Sequence, residues 1–281
     1  MPIGSDVAVP HSYFSRFFAT LGASLAQLVR APSHSRRAEA ARRSARHVLW
    51  LAAGLSALVI VLMYWLDATE IRLMPPRGTA SLWPVRILTD FGKSAYVLSA
   101  LAGVSFAVLI ISAAARGTTR SLLLGLGTRL QFLFFAVLAP VLLGEAIKWM
   151  VGRGRPFVGG EANVFNFSHF AGTEAYASFP SGHAITAFAM AFAVSALWPR
   201  AWIAMLVYAI VIAATRLVLL AHHPSDVVAG ALVGVIGAMF VRYWFAARRL
   251  GFAIARDGTV LPLPGPSFER FKRVARSPFG P

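Results

Sequence analysis

Residues 215–226 read TRLVLLAHHPSD, so an arginine, two histidines and an aspartate stand at the end of one of the most apolar stretches in the chain. Two other segments carry comparable groups: KWMVGRGRP (148–156), with Lys148 and Arg155, and PSGH (180–183), ending in His183. Lys148, Arg155 and Arg216 are three permanent cations with too few nearby acids to neutralise them. An anion with two or three oxygens would satisfy them, and the planar fork of arginine suits phosphate. The run FPSGHAITAF reads as a helix start. Ser181 is placed to cap it, Gly182 lets a ligand come close to the backbone, and the free N–H groups and helix dipole favour phosphate there. His183 then stands beside the bound anion, placed to move a proton. In HHPSD, Pro224 suits the first turn of a following helix. Asp226, four residues after His222, can reach back to orient a histidine and stabilise its charge. An activated histidine beside a cation-clamped phosphate implies covalent phosphoryl transfer. His223 directly precedes Pro224 and is biased to an extended backbone, but physics alone does not separate the two histidines.

The elements that must position these groups are membrane helices. Of 281 residues, 57% are hydrophobic and 14% charged, and the mean hydropathy is +0.65. Soluble domains carry about 25% charged residues. Cysteine is absent, which excludes disulfides, thiolate catalysis and cysteine metal sites. A bilayer crossing needs about 20 mostly apolar residues. Six stretches are read as spans: 48–66, 95–115, 130–147, 181–198, 201–220 and 226–246. The fourth and sixth have short fully apolar runs and need their polar flanks at the interface. Four spans would remain if a weak segment were re-entrant. Phe14, Phe17, Phe18, Leu21, Leu25 and Leu28 recur at helical spacing before the first span, as in a helix lying in the interface or packed on the protein.

Lysine and arginine set the orientation. Nineteen of the 27 lie before the first span, between spans two and three, between four and five, or from Arg242 onward. That face is expected to be cytoplasmic, with both termini inside and basic tails favouring anionic lipid. The chemical groups of all three segments then gather at the opposite, outer leaflet, where ionisable residues are costly and mark function.

Taken in order, KWMVGRGRP, PSGH and TRLVLLAHHPSD resemble the three-part signature of the type 2 phosphatidic acid phosphatase (PAP2) superfamily. That signature is Lys, six residues, Arg-Pro; then Pro-Ser-Gly-His; then Ser-Arg, five residues, His, three residues, Asp. Every spacing fits, and the one departure, Thr215 for Ser, keeps a hydroxyl. The resemblance covers roughly residues 130–245. It implies that His222 is the nucleophile forming a phosphohistidine, with Asp226 holding it. His183 would protonate the leaving alkoxide. Lys148, Arg155 and Arg216, with the backbone at Ser181 and Gly182, would hold the phosphate. His223 is left as a turn or headgroup residue.

The same residues admit rival readings. A metal site could be assembled on paper from His169, Glu174, His183, His222, His223 and Asp226, but three cations at one place repel a divalent ion. Soluble vanadium haloperoxidases share the anion-binding signature, and six apolar spans argue against them. The alternative from another class is a catalytically silent lipid-phosphate binding or transport protein on the same scaffold. The intact His222, Asp226 and His183 argue for chemistry.

The expected protein is all-α and polytopic, with about six transmembrane helices around a PAP2/haloperoxidase-like core. A basic cytoplasmic tail with an amphipathic helix occupies 1–47, the membrane phosphatase domain 48–246, and a basic Pro-rich tail, at least partly disordered, 247–281. Gly230, Gly234 and Gly237 permit close helix packing. The 67–93 segment is read as a plain interfacial segment, with a cover over the site as the alternative, and nothing in the sequence decides whether Asp90 and Lys93 touch a headgroup. The expected activity is metal-independent hydrolysis of a lipid phosphate or diphosphate at the outer leaflet of the inner membrane, without cofactor. The partners are the lipid phosphate and the bilayer, with no nucleic acid. Undecaprenyl diphosphate, phosphatidic acid, phosphatidylglycerophosphate and lipid A phosphate all fit.

Overall fold

The computed structural model describes residues 12–159 and 163–265. Helices α1 (Tyr13–Val29), α2 (Arg37–Trp65), α3 (Asp67–Leu73), α4 (Trp83–Asp90), α5 (Ser94–Ala114), α6 (Gly117–Val151), α7 (Gly182–Leu197), α8 (Trp202–Val218) and α9 (Pro224–Ala247) precede a hairpin of β1 (Phe252–Ile254) and β2 (Val260–Pro262). The all-α expectation holds, with this hairpin as a small addition.

Among the described residues, five helical stretches are long and apolar enough to cross a membrane: Arg37–Trp65, Ala80–Ala114, Gly117–Val151, Pro199–Val218 and Pro224–Ala247. The fourth expected span, 181–198, corresponds to α7, with only 16 residues. At 1.5 Å per residue it is about 24 Å long, short of a roughly 30 Å hydrocarbon core. It can be short because α6, α8 and α9 all pack against it, and Ala184, Ile185, Thr186, Ala187, Ala189 and Ala193 are fully buried. The spans α2 and α5 are peripheral and bury little of their apolar surface inside the protein, whereas α9 buries more than half. Exposed Trp50, Ile60, Trp65, Phe106, Ile111, Trp202 and Ile210 form the surface that lipid must cover.

Close approach of α9 to α7 rests on Gly230 and Gly234. A Cβ on Gly230 would stand 2.5 Å from the Ser181 carbonyl oxygen, and one on Gly234 2.5 Å from that of Ile185. The small-residue contact read from the sequence is therefore present, and it joins the N-terminal turns of α7 and α9.

Helix α1 is capped by Ser12, whose hydroxyl accepts from the Ser15 N–H. Its apolar set divides: Phe14, Phe18 and Leu25 are exposed, while Phe17 meets the ring of Phe106 and Leu28 packs into the main core. Residues 248–265, the described part of the tail expected to be at least partly disordered, carry the hairpin. Asp257 and Gly258 make the turn of the hairpin, and Phe132 of α6 meets both Phe252 of β1 and Phe245 of α9, with ring centroids 4.8 Å apart for Phe132–Phe252 and 5.4 Å for Phe132–Phe245. Residues 266–281, the rest of that tail, lie outside the described residues.

Candidate active site

The C-terminal ends of α6 and α8 and the N-terminal ends of α7 and α9 meet at the end of the bundle away from the hairpin. Together they carry the three segments singled out in the sequence: 148–156 at the end of α6, 180–183 at the start of α7, and 215–226 from the end of α8 to the start of α9. Helix α6 carries Lys148 and stops at Gly152, whose φ of 58° is left-handed, a conformation glycine adopts without steric cost. A side chain there would collide with Ser168, since a Cβ would lie 1.8 Å from its carbonyl oxygen. The chain can thus turn sharply and bring Arg153 and Arg155 under the bundle end.

Ser181 holds the N-cap position of α7, but its hydroxyl makes no capping bond. This differs from the expected capping role. Its N–H donates to the Asp226 carbonyl at 2.9 Å, and its hydroxyl is buried without a hydrogen-bond partner. Arg216 donates from Nη1 to Thr89 Oγ1 at 2.8 Å, while its Nε is likewise buried and unpartnered. A Cβ on Gly182 would lie 3.0 Å from Lys148 Nζ, so glycine keeps the space beside that amine open. Lys148 pairs with Glu145 at 2.5 Å, and Arg155 Nε donates to the Glu174 carbonyl at 2.9 Å. Unused donors around a cationic recess are what an oxyanion would satisfy.

His222 is 3% exposed and lies in the turn between α8 and α9. Its Nδ1 stands 2.8 Å from the Ser178 carbonyl oxygen. A carbonyl only accepts, so Nδ1 carries the proton and Nε2 the lone pair. Burial drives the His222 pKa well below the ordinary value, and the charges of Arg216, Arg155 and Lys148 act in the same direction. The ring is therefore neutral and able to act as a nucleophile. Asp226 does not hydrogen-bond to it, since its Oδ2 is 3.9 Å from Nδ1. The carboxylate instead accepts from Arg153 Nη1 at 2.7 Å, from the Ser178 hydroxyl and from the His223 N–H at 2.9 Å. Its hydrogen-bonded link to His222 runs through Ser178. His223 is 1% exposed and occupies the N-cap of α9. Of its two suggested roles, the structure places it in the turn.

Arg216, Lys148, Lys93 and Arg155 are the charged neighbours of His183. The turn between α4 and α5 comes close as well, because a Cβ on Gly92 would lie 3.5 Å from the His183 ring. Segment 67–93 therefore reaches the site through Asp67, Thr89, Gly92 and Lys93. The residues of the metal reading do not assemble: His169 faces the Met150 carbonyl, the Glu174 side chain is almost fully exposed, and no group of three or more His, Asp or Glu is arranged as a ligand set among the described residues.

Sequence reasoning missed Asp67, Thr89, Arg153 and Ser178. Arg153 lies inside KWMVGRGRP and is fully buried, yet the signature spacing selects only Arg155, before Pro156, and gives Arg153 no role. The others act across 44 to 158 residues of chain.

Residues 129–250, which include all four helix ends, match the family model of the PAP2 superfamily. Among relatives, the chain is 39% identical over 127 residues to the lipid A 1-phosphatase of Rhizobium johnstonii, a match covering 45% of this chain and 52% of that protein. Over the same length it is 37% identical to the lipid A 1-phosphatase of Rhizobium etli, covering 45% and 55%. It is also 37% identical over 99 residues to the putative undecaprenyl-diphosphatase YbjG of Escherichia coli, covering 33% and 47%. The matches span about half the length of these relatives. No solved structure gives a significant match.

Proposed function

We propose that the protein is a membrane phosphatase that hydrolyses a lipid phosphate or diphosphate through a phosphohistidine on His222. The observation that carries this reading is the Nδ1 contact of His222 with the Ser178 carbonyl, which leaves Nε2 unprotonated beside three cations. Lys148, Arg155, Arg216 and the N-terminal N–H groups of α7 hold the phosphoryl oxygens, and the unpartnered Ser181 hydroxyl and Arg216 Nε complete the seat. His222 Nε2 attacks phosphorus as the bond to the leaving oxygen breaks. His183 gives that oxygen its proton, then takes one from the water that cleaves the phosphoenzyme. Cations and backbone dipoles spread the transition-state charge, so activity should survive strong chelation.

The lysine and arginine bias supports an inner-membrane protein with both termini cytoplasmic and the site at the periplasmic leaflet. The names of the relatives support lipid A phosphate and undecaprenyl diphosphate as first substrates to test. Purified protein in mixed micelles, given these two lipids, phosphatidic acid and phosphatidylglycerophosphate, should release phosphate from at least one, with inhibition by vanadate, a mimic of five-coordinate phosphorus. Binding without release from any of them would favour a silent binding protein.

A further inference from the structure

Around Asp226, whose carboxylate is 3.9 Å from His222, lies a second charged cluster with no solvent contact. Its centre is Arg153, which is 0% exposed. Nη1 donates to Asp226 Oδ1 at 2.7 Å and to Ser225 Oγ at 2.6 Å, and Nη2 to Asp67 Oδ2 at 2.8 Å. Nη2 and Nε also donate to the Val164 carbonyl, at 2.9 and 3.2 Å. Asp67, itself 0% exposed, further accepts from the Ser225 N–H at 3.1 Å and from the Ser225 hydroxyl. It sits at the first position of α3, outside the region matched to the superfamily.

The charge balance of this cluster is its notable property. Arg153 lies between two carboxylates, so the three groups sum to one negative charge. Without Asp67, Arg153 and Asp226 would form a neutral pair, and His222, 3.9 Å from Asp226, would face a carboxylate already compensated. In a buried setting, where charges interact strongly, that difference falls on the imidazole as it gains positive charge in forming the phosphohistidine.

We propose that Asp67 is a positioning residue for His222: it neutralises Arg153, so that the charge of Asp226 remains available to the imidazole, and it ties α3 to the N-terminus of α9. The inference rests on the reading of His222 as nucleophile. Arg153 is the link in both senses. Its side chain holds Asp226, and its carbonyl accepts the Ser178 N–H at 3.0 Å, so the residue that orients His222 is fixed at both ends.

The test uses the full chain in detergent, with p-nitrophenyl phosphate and a lipid phosphate as substrates. Asp67→Asn keeps the shape and removes the charge. Its kcat should fall roughly 10- to 100-fold, the range seen when outer-shell partners are lost elsewhere, while KM stays near wild type because the recess is untouched. The acid limb of kcat/KM, which reports the free enzyme, should move to lower pH, since an imidazolium loses stabilisation. The charges bearing on that ring are Arg216, Arg155 and Lys148 and Asp226 at 3.9 Å, with Arg153 and Asp67 paired in turn to Asp226 and Arg153, and only Asp67 changes. Asp67→Glu keeps the charge and should hold the limb at its wild-type position even where altered length lowers kcat. Asp67→Asn/Arg153→Gln leaves Asp226 uncompensated again and should recover part of the kcat lost in Asp67→Asn. An active wild type with an unchanged Asp67→Asn variant would overturn the inference and leave the proposed function standing. So would loss in both variants with an unshifted acid limb and lowered thermal stability, the signature of a merely structural role. A wild type that releases no phosphate from any substrate would remove the proposed function and this inference with it.

Discussion

At the scale of single residues, the two adjacent histidines should behave very differently. His222→Ala removes the attacking Nε2 and should lower kcat by ~1,000-fold or more, as loss of a nucleophile does elsewhere. His223→Ala should stay within about tenfold of wild type, or ~1.4 kcal/mol of barrier, because its N–H contact to Asp226 belongs to the backbone. Steady-state rates on one lipid phosphate check both, and equal damage would sink the assignment. Asp226→Asn should cost roughly 100-fold or more, since it removes the charge beside His222 and weakens the hold on Ser178.

Glu70 offers a separate test through stability. It is 3% exposed, neither carboxyl oxygen has a hydrogen-bond partner, and burial, with repulsion from Asp67 and Asp226, raises its pKa to about 8. Below about pH 4.5 the folded and unfolded states both hold the proton. Between there and about pH 8 only the folded state does, so stability falls as pH rises through that window and levels off above it. Glu70→Gln should remove this slope and raise the thermal midpoint at pH 8–9, for a gain on the order of 4 kcal/mol at most. An unchanged slope between pH 5 and 9 would contradict it. Lys148, Arg155, His183, Arg216 and His222 were legible in the sequence because motif spacing carries them. Asp67, Thr89 and Ser178 were not, because each derives its role from a partner far along the chain.

At the scale of elements, the phosphate seat depends on how closely α9 lies against α7. Gly230→Val would push a side chain into the Ser181 carbonyl, 2.5 Å from the Cβ position, and separate the two helix ends. Overpacking of this kind costs about 1–3 kcal/mol, and it should also lower phosphatase activity, whereas the same change at Gly103, where a Cβ would meet nothing within 4 Å, should be tolerated. Thermal stability and phosphate release measured side by side decide this. The glycine contact was legible from small-residue spacing. The hairpin was not read, although Asp257-Gly258 between Phe252-Ala-Ile254 and Val260-Leu261 is a recognised turn signal. A basic, Pro-rich composition outweighed it. The shortness of α7 was not legible either, because it follows from the neighbours that surround the helix rather than from its own residues.

At the scale of the whole molecule, the helix ends bearing the candidate site lie at one end of the bundle, and α1, the hairpin and, among the described residues, most of the basic side chains lie at the other. Reporter fusions should place residue 165 outside and residues 40 and 260 inside. A cytoplasmic signal at 165 would put the site on the wrong leaflet for an outer-leaflet substrate.

The central claim is a covalent bond between His222 and the phosphoryl group. Rapid acid-free quenching of the enzyme with a phosphate-labelled substrate, followed by peptide mapping, tests it most directly. The account predicts an acid-labile, alkali-stable phosphoryl label on the peptide containing His222, lost in His222→Ala. Full turnover by His222→Ala, or a label carried on another residue, would contradict it.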